Sequence, residues 1–329
     1  MQELEKLRSS RILVYITGDR RGLETKIATD SFPFCLTHLL KMGRQKRIDL
    51  FLYSTGGITM AGYGLVNLIR EFCDSFGVIV PFKAQSTATL IALGADEIVM
   101  TKMGQLSPID PSVISPFGPQ FQIPEQPGAA RPIPVNVEDV VSYLNLARQG
   151  LDLKDEDSLV RVFDRLSQVV HPLTLGSVSR IREQTSFLAN TLLNYHMKDP
   201  NKIRKIVDII TKGRFSHDYL IGRKEAKDVL ELNVIEDEDT SNKAFELYTE
   251  YDHILQLSTP YNAEVVLGDN RTITADFNRA LIESDNLTHV FRTTKKMDRV
   301  TLNPPQVPFP TAGVSETVIQ EQWLQDNNI

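Results

Sequence analysis

Ile48-Asp49-Leu50-Phe51-Leu52-Tyr53-Ser54-Thr55-Gly56-Gly57 is the stretch that decides the fold. Five of its first six residues are apolar and do not alternate with polar ones, the pattern of a strand covered on both faces, and it breaks at a turn of small residues. Downstream, Ala61, Leu65, Leu68, Ile69 and Phe72 recur at helical spacing on one face. Upstream, residues 12–17 form a β-branched and aromatic run. A helix follows, capped by Asp30 or Ser31, with Pro33 in its first turn and Phe32, Leu36, Leu39 and Leu40 on one face. Beyond the quoted stretch, a third strand at 78–82 runs into Lys83-Ala84-Gln85-Ser86. A helix over 87–95 then carries no charged side chain on any face, which implies burial all round, and a fourth strand covers 97–100. Strands separated by helices of this length predict an α/β fold with a parallel sheet and right-handed crossovers.

The rest of the chain is helical first and mixed later. Seven of the 17 prolines fall within 111–134 (Pro111, Pro116, Pro119, Pro124, Pro127, Pro132, Pro134), so this segment reads as a loop. Asn136 is a good N-cap for a helix bearing Val137, Val140, Val141 and Leu144. Helical spacing continues through Leu159, Val162, Phe163, Leu166 and Val170, is interrupted at His171-Pro172, and resumes in a long helix from Leu175 onward. Shorter helices follow at 200–210 and 223–230, then a strand at 232–235. Glu236-Asp237-Glu238-Asp239 reads as a boundary. After it come a helix bearing Phe245, Tyr248, Tyr251, Ile254 and Leu255 and a hairpin of 280–283 with 289–293 through Ser284-Asp285-Asn286. Residues after about 302, with Pro304, Pro305, Pro308 and Pro310, show no period. The expected organisation is a catalytic-type domain over 1–239 with a mobile proline-rich loop at 111–134, a small α+β appendage over 240–302, and a mobile tail over 303–329.

Composition narrows the function. The 36 basic residues against 42 acidic give a net charge of -6 without a basic stripe, which argues against nucleic-acid binding. Cys35 and Cys73 lie in apolar segments that read as helix, so buried thiols in a reducing compartment are expected rather than a disulfide. No stretch approaches ~18 uncharged apolar residues, and the first eleven residues hold no apolar leader core, so a soluble cytoplasmic protein without a membrane span is expected. His38, His196, His253 and His289 show no ligand spacing, and no metal or organic cofactor is expected.

Two strand-to-helix turns carry the chemistry. Gly56-Gly57 lets the backbone approach a ligand closely, although a glycine pair after a strand is commonly just a tight turn. Ser86 stands where a buried strand turns into a buried helix, with the Thr87 amide beside it. That suits a nucleophile whose developing charge is met by amides, and equally a serine serving only as the helix N-cap.

Taken together, Ser54-Thr55-Gly56-Gly57, the serine turn at Ser86, Leu90-Ile91-Ala92-Leu93-Gly94-Ala95-Asp96, Leu106-Ser107-Pro108-Ile109-Asp110-Pro111, His171-Pro172-Leu173-Thr174-Leu175-Gly176, and Ser216-His217 with Ile221-Gly222-Arg223-Lys224-Glu225-Ala226 resemble the serine dehydrogenase proteinase family. That family is a cytosolic branch of the ClpP and signal-peptide-peptidase-A superfamily. The resemblance implies a ClpP/crotonase-like spiral of βαβ units followed by long helices. It implies Ser86 as nucleophile, the Gly57 and Thr87 amides as oxyanion hole, a peptide or protein substrate, and a homo-oligomer. The chain departs from the family at the base. No histidine stands near Asp110, where ClpP-like enzymes place theirs, and the 136–148 helix has no lysine. The candidates are His217, His171 and Lys212, with Asp110 as a possible orienting group. Each has a plain structural reading: a junction histidine, a turn, a solvated lysine. The reading is a cytoplasmic serine peptidase. Its rivals are a catalytically weak or inactive member acting as a peptide-binding scaffold, and a crotonase-type acyl-CoA enzyme.

Overall fold

Continuous apolar runs build the sheet, and the computed structural model describes it for residues 1–122, 130–211, 219–302 and 311–327. In chain order its first elements are α1 (Gln2–Arg8), β1 (Arg11–Thr17), α2 (Phe32–Met42), β2 (Gln45–Tyr53), α3 (Thr59–Arg70), β3 (Cys73–Val80), β4 (Lys83–Ala84), α4 (Thr87–Leu93), β5 (Glu97–Met100) and β6 (Gln105–Leu106). Next come β7 (Ser112–Val113), β8 (Gln120–Gln122), β9 (Ala130–Pro132), β10 (Val135–Asn136), α5 (Val137–Asn145), α6 (Glu156–Val169), α7 (Pro172–Leu193), α8 (Pro200–Thr211) and β11 (Ile221–Gly222). The last are α9 (Arg223–Asp228), β12 (Val234–Ile235), α10 (Glu238–Leu255), α11 (Ala263–Leu267), β13 (Thr272–Ser284), β14 (Leu287–Leu302) and β15 (Thr311–Gln325).

The chain divides into two units, one of residues 1–106 with 222–329 and one of residues 107–221. The first is mixed α/β around an eight-stranded sheet of order β12-β5-β3-β2-β1-β13-β14-β15. β1, β2, β3, β5 and β12 run parallel, and β13, β14 and β15 extend the sheet antiparallel from β1. Ile12, Val14, Ile16, Phe51, Tyr53, Ile79 and Val99 pack against Ala244, Tyr248, Tyr251 and Leu255 of α10. The alternate residues Leu13, Leu50, Leu52 and Val78 are buried too, as a strand covered on both faces requires.

Four expectations need correction. The acidic patch is not a linker: Asp237 caps α10 by accepting the Asp239 amide, and Glu238 and Asp239 sit in its first turn, where carboxylates suit the helix N-terminus. The segment expected as an appendage supplies α10 to the main core and β13 and β14 to the main sheet. Nor is the whole of 303–329 a tail, since residues 311–325 are the edge strand β15. Most of β15 is exposed, so it shows no apolar alternation from which a strand could be read. Cys73 opens β3 rather than lying in a helix. Both thiols are nevertheless buried and free, and burial pushes Cys35 up to about 12 and Cys73 up to about 11.

The second unit is mainly helical. Asn136 caps α5 through the Glu138 and Asp139 amides. Val113, Val135, Val137, Val140, Val170, Leu175 and Val178 form its core cluster. Within the expected proline loop, residues 112–113 pair with 135–136 and residues 120–122 with 130–132; residues 123–129 lie outside the described residues. Among the described residues, no helix is long and apolar enough to cross a membrane.

Candidate active site

The two turns singled out in the sequence meet at the carboxyl ends of β2 and β3, the end at which open α/β sheets bind ligands. They are joined by backbone hydrogen bonds: the Ser54 amide donates to the Lys83 carbonyl at 2.8 Å and the Gln85 amide to the Ser54 carbonyl at 3.0 Å. The Ser54 hydroxyl accepts from the Gly56 amide at 2.9 Å and from Thr17 Oγ1 at 2.6 Å, which fixes the turn from inside.

Both glycines are required by close approach. Gly56 has φ +114, and a Cβ there would lie 2.8 Å from Ser86 Cβ and 3.2 Å from Ser86 Oγ. A Cβ on Gly57 would sit 2.2 Å from the Ile27 carbonyl oxygen, because residue 27 bridges to this turn. The Ile27 amide donates to the Gly56 carbonyl and the Ile58 amide to the Ile27 carbonyl. The Gly57 amide between them has no hydrogen bond among the described residues.

Ser86 is half-buried and strained, with φ 52 and ψ -114. The positive-φ residues Ser9 and Gln256 are ordinary left-handed helix caps, whereas the ψ of Ser86 lies outside that region. Such a conformation costs ~1–3 kcal/mol and persists only where its surroundings impose it. The ladder from Ser54 to Lys83 and Gln85 on one side and the buried α4 on the other impose it here. The Ser86 side chain makes no capping hydrogen bond to α4, so the plain reading of this serine as a helix cap does not hold. The Ala88 amide is taken by the Gln85 carbonyl and that of Leu90 by the Ser86 carbonyl. The Thr87 amide, like that of Gly57, has no hydrogen bond among the described residues. Thr87 Oγ1 donates to the Gly57 carbonyl at 2.7 Å and ties the two amide-bearing residues together. α4 is only seven residues long, ending at Leu93, so these amides, and not a helix dipole, are the donors available to a developing negative charge.

Residues 35–123 match the family model of ClpP-like SDH-type serine proteinases. The ClpP-like segment contains both turns, from the helix before β2 to the strand after the first prolines. The chain is also similar to an uncharacterized protein of Methanocaldococcus jannaschii, 27% identical over 188 residues, which are 56% of this chain and 53% of that protein. A second uncharacterized protein of the same organism is 26% identical over 261 residues, 76% of this chain and 75% of that protein. The match thus spans about half the length of the first relative.

The other sequence candidates are placed as follows. In the second unit, His171 caps α7, its Nδ1 accepting from the Leu173 amide at 3.2 Å, and its exposed ring stacks on Phe117. Asp110 Oδ2 accepts from Asn136 Nδ2 at 2.7 Å, so it supports the residue that caps α5. Its charge, together with burial, raises the carboxyl of Glu138, with burial the larger cause. Lys212 and His217 lie outside the described residues.

Two arrangements escaped the sequence. Lys83, three residues before Ser86, pairs with Asp19 at 2.5 Å, and Asp19 also accepts from the Tyr53 hydroxyl at 2.7 Å. The only signal was position: each of the three follows or ends a strand at the same end of the sheet. His38 and His289, read as unrelated, share a hydrogen bond at 3.0 Å, with Ser284 on the other ring nitrogen of His38 at 2.6 Å. Their separation of 251 positions hides this contact from any local pattern.

Proposed function

We propose that this chain is a serine peptidase, or a related serine acyl hydrolase, built on the ClpP/crotonase spiral of βαβ units and working on peptides in the cytoplasm as a homo-oligomer. The observation that carries the reading is Ser86: strained, half-buried, not capping the helix it precedes, and set against a glycine pair in a ClpP-like segment. Ser86 Oγ attacks the carbonyl carbon of the scissile bond while a base takes the hydroxyl proton. The Gly57 and Thr87 amides hold the resulting oxyanion, each such donor being worth ~3 kcal/mol. Collapse of the intermediate expels the amine, which takes the proton back from the base, and water then repeats the sequence on the acyl-enzyme.

The candidates for the base remain His217, His171 and Lys212. Of these, His171 also caps α7, its Nδ1 accepting from the Leu173 amide. No metal or organic cofactor enters these steps. Ser86→Ala is expected to lower hydrolysis of fluorescent casein by about a thousandfold or more with the fold retained. Hydrolysis unchanged in Ser86→Ala would contradict the assignment.

A further inference from the structure

The loop between β1 and α2 touches both turns of the candidate site, and by different means. At its far end the backbone of Ile27 sandwiches Gly57, giving its amide to the Gly56 carbonyl at 2.9 Å and taking the Ile58 amide at 2.8 Å. At its near end Asp19 holds Lys83 by the ion pair and Tyr53, the last residue of β2, by the phenol. Burial first, then the Asp19 charge, raises the Tyr53 hydroxyl far above its ordinary range, so it stays a donor to Asp19. The loop is closed on itself by the Thr25 amide on the Gly18 carbonyl, at 2.8 Å. Gly18 is pressed against the Arg279 carbonyl, where a Cβ would approach to 2.7 Å, so the near end cannot drift from the sheet. Lys83 is in turn the residue whose carbonyl receives the Ser54 amide, and it lies on β4 with its ammonium over the Phe82 ring at 5.1 Å.

The 18–28 loop therefore grips the glycine turn at Ile27 and the serine turn at Lys83. We infer that Asp19 and Lys83 are positioning residues for Ser86, their ion pair fixing the serine turn against the glycine turn so that the Gly57 and Thr87 amides converge on one oxyanion. This rests on the reading of Ser86 as nucleophile. Asp19 and Lys83 touch neither substrate nor the reacting atoms in this account. The pair is largely buried, its acid 14% and its lysine 27% exposed, so desolvation offsets most of its net stabilisation while the loss of one partner leaves the other's charge unpaired.

The test is a set of variants, Asp19→Asn, Lys83→Met and the double, each followed by the rate of labelling with a fluorophosphonate and by hydrogen exchange of the Ser54 and Gln85 amides. The inference expects each single variant to lose about tenfold in labelling rate, the double to be no worse than either single, and Lys83→Arg to regain most of the loss. It also expects faster exchange at Ser54 and Gln85 with exchange in β1 and β3 unchanged, which a general loss of stability would not produce. Labelling within twofold of wild type in both single variants overturns the inference and leaves the nucleophile reading intact. If wild type itself is not labelled, the nucleophile reading fails, and the exchange decides the rest: acceleration confined to the two turns upholds the clamp, and unchanged exchange overturns it. Should Asp19→Asn not fold, Lys83→Met, which keeps the apolar stem, carries the same outcomes.

Discussion

At the scale of single residues, Ser86 carries the strain of the site and the proposed chemistry. Its φ of 52 is a conformation that glycine adopts freely and serine does not. Ser86→Gly is therefore predicted to stabilise the fold by about 1 kcal/mol, the relief of strain less the extra chain entropy of glycine, while abolishing hydrolysis. Urea denaturation checks this, and a destabilised Ser86→Gly protein would mean that the strain is not borne by this residue. Gly57→Ala goes the other way. Its Cβ would press into backbone rather than a flexible side chain, and a loss of several kcal/mol, read by the same titration, is expected. The identity of Ser86 and of the two glycines was legible in the sequence because small residues at strand ends are a local signal. What singles out Ser86 from an ordinary cap was not, because it depends on a ladder to Ser54 thirty-two positions earlier.

At the scale of elements, α2 is fastened to the hairpin of β13 and β14 by His38, Ser284 and His289, all buried. Burial, then the neighbouring His289 and Lys41, pushes His38 down to about 3, and burial lowers His289 as well. Both are thus neutral in the folded protein at pH values where the unfolded chain, titrating near 6.5, takes up protons. The sign follows. This contribution to stability is fully present above about pH 6.5 and is lost as the pH falls toward 3, by up to ~1.4 kcal/mol per unit for His38, with His289 adding to the loss in the same direction. Replacing both by asparagine is predicted to flatten the decline in unfolding free energy between pH 6.5 and 4.5, measured by urea titration at several pH values. An unchanged slope would remove the histidine pair from the acid response. Elements with a strong local period were legible: α3, α5 and the 22-residue α7 lie where apolar spacing puts them. Pairings between distant elements were not.

At the scale of the whole molecule, the sheet extends further than its sequence suggests because its last strand is an edge with little to bury. β15 covers β14 and brings Trp323, the one tryptophan of the chain, beside Phe34 and Phe291, with its indole nitrogen donating to Asp30 at 2.9 Å. Removing residues 303–329 is predicted to cost about 2 kcal/mol or more, the worth of exposing one large apolar side chain, and to promote aggregation through the uncovered edge of β14. Thermal unfolding and light scattering of the shortened chain check both. The parallel half of the sheet was legible from its continuous apolar strands. The division at residues 106 and 221 was not, since the acidic run that looked like a boundary is a helix N-terminus. The central claim, that these elements meet to present a nucleophilic serine, is tested most directly by mapping a fluorophosphonate adduct by mass spectrometry on the folded wild-type chain. The account predicts near-stoichiometric adduct on the peptide containing Ser86 and none on Ser86→Ala; adduct on another residue, or none on a folded wild-type protein, would contradict it.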